Sequence, residues 1–245
     1  MHVTDRAPAS LAQRTAAWAV HLYTATGALT ALAALIETTR GRVPAAFGWL
    51  YLAVAIDASD GALARAARVK EVIPEFDGAK LDDIVDYLTF VLVPVFLMLQ
   101  CGLLVGWSGG LAAAAAALAS AFRFCHASAK TADHFFTGFP SYWNVVALYL
   151  YVFEAPPAVS AVVTMSLAAL VIVPLRFIYP SRTPALRPLS IGLGLVWAGL
   201  VAAILARLPE RSPGLATLSL FYPIYYTIVS FVLDWLSRRH RARVR

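Results

Sequence analysis

The chain has 245 residues, 60% of them hydrophobic and only 14% charged, with a formal net charge of +6. A soluble domain has too little interior to hide that much apolar surface, so a water-soluble globular enzyme is excluded and an all-α, polytopic membrane protein is indicated. Residues 1–245 read as one integral-membrane domain, and the basic excess, gathered in loops and tail, reports membrane orientation rather than nucleic-acid binding.

Eight apolar segments follow one another, at about 16–36, 44–65, 80–100, 109–126, 141–155, 157–178, 188–206 and 214–236. The first is too long for the core of a signal peptide and no cleavage site follows it, so it is expected to stay in the mature protein. The second ends in "IDASDGALAR" (Ile56–Arg65), and the third opens within "GAKLDDIVD" (Gly78–Asp86). Gly102 and Gly106 form one G-x-x-x-G, read as loose packing at a helix end and not as a dimer face. The fourth contains "LAAAAAALAS" (Leu111–Ser120), whose small residues let helices approach closely. Cys101 and Cys125, in or beside apolar runs, read as buried free thiols. The fifth segment is short and aromatic. The terminal "RRHRARVR" (Arg238–Arg245) reads as an orientation signal with affinity for anionic lipid.

Lys and Arg set the topology. With the N-terminus in the cytoplasm, that side carries Arg6, Arg14, Arg65, Arg68, Lys70, Lys80, Arg123, Lys130, Arg176, Arg182, Arg187, Arg238, Arg239, Arg241, Arg243 and Arg245. The other side carries only Arg40, Arg42, Arg207 and Arg211. Both termini are therefore predicted cytoplasmic, as is the loop 66–79.

On a helix of 3.6 residues per turn, Asp57, Asp60, Gly61, Ala64 and Arg65 share an arc of about 140°, and Gly78, Asp82 and Asp86 one of about 80°. Asp83 points away from that stripe. One short loop joins the two segments, so they are predicted antiparallel neighbours whose four carboxylates converge near the cytoplasmic surface. One Asp at a span centre costs roughly 2.5–3.5 kcal/mol. Asp–Arg pairs account for one or two of the four. Arg65 and Lys80 compensate in part; divalent cations do so better, and hard carboxylate oxygens suit Mg²⁺, Mn²⁺ or Ca²⁺ over zinc. Ionisable residues inside spans are functional candidates. Gly61, Ala64 and Gly78 leave room for a ligand to approach the backbone.

"DASDGALAR" followed by "GAKLDDIVD" resembles the CDP-alcohol phosphotransferase signature, D-x-x-D-G-x-x-A-R … G-x-x-x-D-x-x-x-D, with all of its positions filled by Asp57, Asp60, Gly61, Ala64, Arg65, Gly78, Asp82 and Asp86. The gap between Arg65 and Gly78 is longer than in most members and is similar to that of the bacterial phosphatidylcholine synthases. "KTADHFFTGFPSYWN" (Lys130–Asn144), "HLYTATGALTALAAL" (His21–Leu35) and the number of spans resemble the same subgroup. The resemblance implies transfer of the phosphatidyl group from CDP-diacylglycerol to choline, with CMP leaving, in the inner membrane of a bacterium. It implies two divalent ions, Mg²⁺ or Mn²⁺, held by Asp57, Asp60, Asp82 and Asp86. Gly61, Ala64, Arg65 and Gly78 would border the CDP moiety, and Asp86 would take the hydroxyl proton. A homodimer is expected by analogy.

Choline is a fixed cation, and proteins hold such groups against aromatic faces. Tyr142 and Trp143 are the favoured pair among Phe135, Phe136, Phe139, Tyr23 and Tyr87, with an interfacial aromatic belt as the plainer reading. Arg123 and Lys130 are candidates for the lipid phosphate; His126, His134 and Asp133 are lesser polar contacts. Serine, glycerol phosphate or inositol as acceptor, or a cation transporter built on the aspartates, are the competing readings. The C-terminal half holds no matching acidic segment, which counts against a transporter.

Overall fold

The computed structural model describes residues 9–126, 135–178 and 186–243. Arg6, Lys130, Asp133, His134, Arg182 and Arg245 lie outside the described residues, as do the side chains of Phe135, Phe136 and the other tail arginines.

The chain is helical almost throughout. Helix α1 (Leu11–Thr39) starts at a capping box in which the Ser10 side chain and Gln13 satisfy each other's backbone N–H groups. A three-residue turn leads into α2 (Val43–Ala66), which Pro44 opens. The one-turn α3 (Val69–Val72) precedes α4 (Gly78–Asp86), a π-helical turn (Tyr87–Leu92) and α5 (Val93–Gln100), one continuous rod in three pieces. Pro94 is the cause of the wide turn: its ring lacks an N–H and collides with the carbonyl four residues back. Then come α6 (Gly106–Phe124), α7 (Trp143–Val152), α8 (Pro157–Ile172), α9 (Arg187–Arg207), α10 (Pro213–Ser219) and α11 (Phe221–Arg243). Pro223 sits four residues past Ser219 and separates α10 from α11 by the same mechanism.

The helices are inside out relative to soluble ones. Helix α1 buries Ala17, His21, Thr24, Gly27, Ala31 and Ala34, while Leu22 and Leu29 stay 69% and 66% exposed. Helix α6 buries Gly109, Ala112, Ala113, Ala116 and Ser120 and presents Leu118 and Phe122. Between helices in lipid, small residues win because they permit close backbone approach, and large apolar side chains face the hydrocarbon. Leu11–Thr39, Arg187–Arg207 and Pro213–Leu236 are long and apolar enough to cross a membrane; Trp143–Val152 and Pro157–Ile172 are apolar but shorter.

Two expectations change and a third holds. The sixth predicted span, 157–178, stops at Ile172: Val173 is extended, as a residue preceding proline must be. The chain then forms strand β2 (Arg176–Ile178), paired antiparallel with β1 (Phe135–Thr137), with Phe136 opposite Phe177. This short ladder ties the loop before α7 to the end of α8. Cys125 is exposed just past the end of α6 and Cys101 only half-buried, so neither is a core thiol. Gly102 and Gly106 adopt φ of +79° and +62°. Gly102 ends α5 in a Schellman turn, with Leu103 N–H donating to the Met98 carbonyl at 3.0 Å, which agrees with a helix-end role.

The main core lies among α1, α2, the π-helical turn, α5, α6, α7 and α8, with Val201 and Ile204 of α9 and Ala216 of α10 joining it. Trp143 is wholly enclosed there. Its indole N–H and the Ser141 hydroxyl both donate to Ser120 Oγ, each at 2.9 Å. Ser120→Ala would leave two buried donors unpaired and is expected to destabilise the protein by about 1–3 kcal/mol, read as a lower Tm in detergent.

Candidate functional site

Three helices frame the acidic cluster. One carboxylate oxygen each from Asp57 on α2 and Asp82 and Asp86 on α4 lie within 4.8 Å of one another, and all three side chains are half-buried. Oxygen donors converging at that spacing suit a hard divalent ion, and these three residues are the group, among those described, able to hold one. Asp83, on the same helix, is not in the group. Asp60 lies one turn along α2 from Asp57 and is 6% exposed; the Thr24 hydroxyl of α1 donates to its Oδ2 at 2.8 Å.

Helix α1 is the partner that the acidic motif did not reveal. A Cβ added to Gly78 would stand 2.5 Å from Cε1 of His21, and one added to Gly27 would stand 2.5 Å from Cγ1 of Val85. Helix α4 therefore lies directly on α1, and glycine at 78 is demanded by contact with the imidazole. His21 is 5% exposed, and its Nε2 has no hydrogen-bond partner among the described residues. Its ring packs against Phe76 (centroids 4.5 Å apart) and Trp18 (5.9 Å). Thr24, three residues on, shares the face that touches Asp60. Thr24 and His21 lie in apolar α1 without an acidic neighbour. The polar residues on its buried stripe were the available signal.

The other predicted residues divide. Arg65 is exposed, with Nη1 3.3 Å from where a Cβ on Gly61 would stand, so the guanidinium lies over Gly61. Ala64 packs on the small cluster of Ala17, Val69, Val72 and Ile73. Arg123 is half-buried near the end of α6, and His126 is exposed beyond it. Tyr142 caps α7 and is half-buried, its ring 5.9 Å from Phe90 and 6.5 Å from Tyr226. Phe90 lies four residues after Asp86 on the same rod. Trp143 points the other way, into the core beside Phe139, and has no free face for a ligand. Tyr87 donates to the Ala117 carbonyl at 3.2 Å, and the Tyr23 hydroxyl bonds Ser59 at 2.8 Å. Tyr226, on α11, had no motif to mark it.

No family model matches the chain. It is 34% identical over 226 residues to the phosphatidylcholine synthase of Rhizobium meliloti (strain 1021), covering 92% of this chain and 94% of that one. It is 37% identical over 223 residues to the phosphatidylcholine synthase of Pseudomonas aeruginosa, covering 91% and 92%. A phosphatidylcholine synthase of Legionella pneumophila is 38% identical over 231 residues, with 91% of each chain covered.

Two outcomes are expected. Manganese titrated into the purified protein and followed by electron paramagnetic resonance should bind, with Asp82→Asn weakening it sharply and Asp83→Asn leaving it near wild type. Gly78→Ala should lower stability by about 1–3 kcal/mol through overpacking, with part of the lost Tm regained when His21→Ala is added.

Proposed function

The chain belongs to the phosphatidylcholine synthases, and we propose that it moves the phosphatidyl group of CDP-diacylglycerol onto choline, releasing CMP. The carrying observation is that Asp57, Asp82 and Asp86, from the two motif segments, meet within 4.8 Å. The relatives share this name over more than nine-tenths of this chain.

In this reading Asp57, Asp60, Asp82 and Asp86 hold two divalent ions, Mg²⁺ or Mn²⁺. When bound, the ions neutralise the pyrophosphate and the charge that develops as CMP departs. Asp86 receives the hydroxyl proton while the choline oxygen bonds to the lipid-bearing phosphorus. The bond from that phosphorus to CMP breaks, and CMP leaves with the electron pair. Gly61 leaves room for the nucleotide, with Ala64 beside it, and Arg65 and Arg123 face its phosphates or those of the lipid; the space expected at Gly78 is taken instead by the His21 ring. Tyr142, with Tyr226 and Phe90 behind it, offers an aromatic face to the quaternary ammonium about one turn from Asp86. Trp143 serves this pocket from behind, by fixing the start of α7.

Counting α4 to α5 as one crossing and α10 to α11 as another gives eight crossings in this reading, supported by three helices long and apolar enough to span and two shorter apolar ones. An even number puts both termini on one side, and the Lys and Arg bias makes that side the cytoplasm of a bacterial inner membrane. The carboxylates then open toward cytoplasmic choline. A homodimer completes the proposed assembly.

The test is CMP release by purified enzyme given CDP-diacylglycerol, Mn²⁺ and, in turn, choline, serine, glycerol phosphate or inositol. Release is expected with choline alone and should stop on chelation. Asp86→Asn should slow turnover about 10²- to 10⁴-fold while donor binding survives. Release driven by serine, glycerol phosphate or inositol, or near-normal turnover by Asp86→Asn, would refute the corresponding assignment.

A further inference from the structure

A cavity of about 350 Å³ lies between α2, α7 and α9. Its walls include Val54 and Ala58 from α2, Leu148 from α7, and Ala198, Val201 and Leu205 from α9. Its α2 lining ends at Ala58, the residue after Asp57 in the chain and about 100° around the helix from it. Along α2 the lining reaches back to Phe47, about 16 Å at the rise of an α-helix. That is close to half of a hydrocarbon core of roughly 30 Å, the depth of one leaflet.

The lining has little left to offer a polar guest. The Tyr51 hydroxyl is given to the Ala198 carbonyl at 3.0 Å and the Trp197 N–H to Tyr149 at 3.0 Å. Asn144 accepts the Val145 N–H at 2.9 Å. The Tyr51 bond also ties the α2 wall to the α9 wall, so the slot is held open by a specific contact rather than left by slack packing. Nothing in the chemistry of the carboxylate cluster needs α9. Its apolar wall answers a different requirement.

We propose that this slot takes one fatty acyl chain of the donor lipid, seating the diacylglycerol so that its phosphate lies at Asp57, and that α9 sets the chain selectivity. The proposal rests on the reading that the donor is a diacylglycerol nucleotide. The slot ends at the α2 residue next to Asp57 and is one leaflet deep and apolar, which fits a hydrocarbon chain attached to a group held at the carboxylates.

The experiment compares donors with dioctanoyl and dipalmitoyl chains in wild type, Val54→Phe and Ala198→Phe, the two variants filling the slot from opposite walls. Expected is a rise in KM of about tenfold or more for the dipalmitoyl donor, with dioctanoyl turnover little changed. Variants that handle the long-chain donor as wild type does would overturn the proposal. A second readout needs no turnover and no variant: phosphatidylcholine with a diazirine at one chain end, photolysed with wild-type protein. Labelling concentrated at Leu148, Val201 or Leu205 supports the slot. Labelling spread over Leu22, Leu118 and Val162 means ordinary bilayer contact and overturns it. If wild type releases no CMP with any donor, the donor reading fails, and the photolabel still decides whether the slot binds a chain. If both variants lose activity on both donors, the photolabel decides likewise.

Discussion

Three half-buried carboxylates within 4.8 Å of one another are the constraint around which this protein is arranged. Like charges at that spacing, at helix positions flanked by lipid-facing residues, repel one another strongly and are poorly solvated. The arrangement persists only if something supplies positive charge there and if rigid packing holds the helices in place. The first requirement is one that a divalent ion held among the three would meet. The second is met by α1, which touches both acidic segments.

The contacts on α1 show how local sequence serves the site. Thr24 gives its hydroxyl to Asp60, so the fourth aspartate is held by a neutral donor deep in the helix pair. His21 and Gly78 fit one against the other, as do Gly27 and Val85. With glycine at both crossing points the backbones approach closely, and the π-helical turn after Asp86 shifts the register of the rest of the rod around Pro94. On the far side, Ser120 gathers Trp143 and Ser141, fixing the start of α7 and hence the placement of Tyr142.

The C-terminal helices do a separate job. Helix α11 closes over the short β ladder: Ile178 N–H donates to Ser230 and Tyr226 donates to the Ile178 carbonyl. Arg176 and Asp234, both largely buried, lie 3.9 Å apart across the same seam. That seam anchors Tyr226 near Tyr142. Helix α9 instead borders the apolar slot beside α2. Polar work and hydrocarbon work are thus divided between different elements around one cluster.

The apolar, helical character of the chain and the meeting of Asp57, Asp82 and Asp86 were legible in the chain because both depend on local pattern. Apolar runs mark membrane helices whatever their neighbours, and Asp57, Asp82 and Asp86 share faces fixed by helical periodicity alone. Glycine at 78 was legible as space, but not as space for His21. The β ladder was illegible because its two strands are three residues each and pair across some forty residues. Trp143 read as half of the choline-binding pair because sequence shows that a ring is present, not which way it turns; in the fold it is fully buried. The partnerships of Thr24 with Asp60 and of Tyr51 with Ala198, and the slot itself, were decided only by tertiary structure. They depend on which faces of distant helices meet, and in a membrane small residues permit many such meetings while the apolar pattern favours none of them.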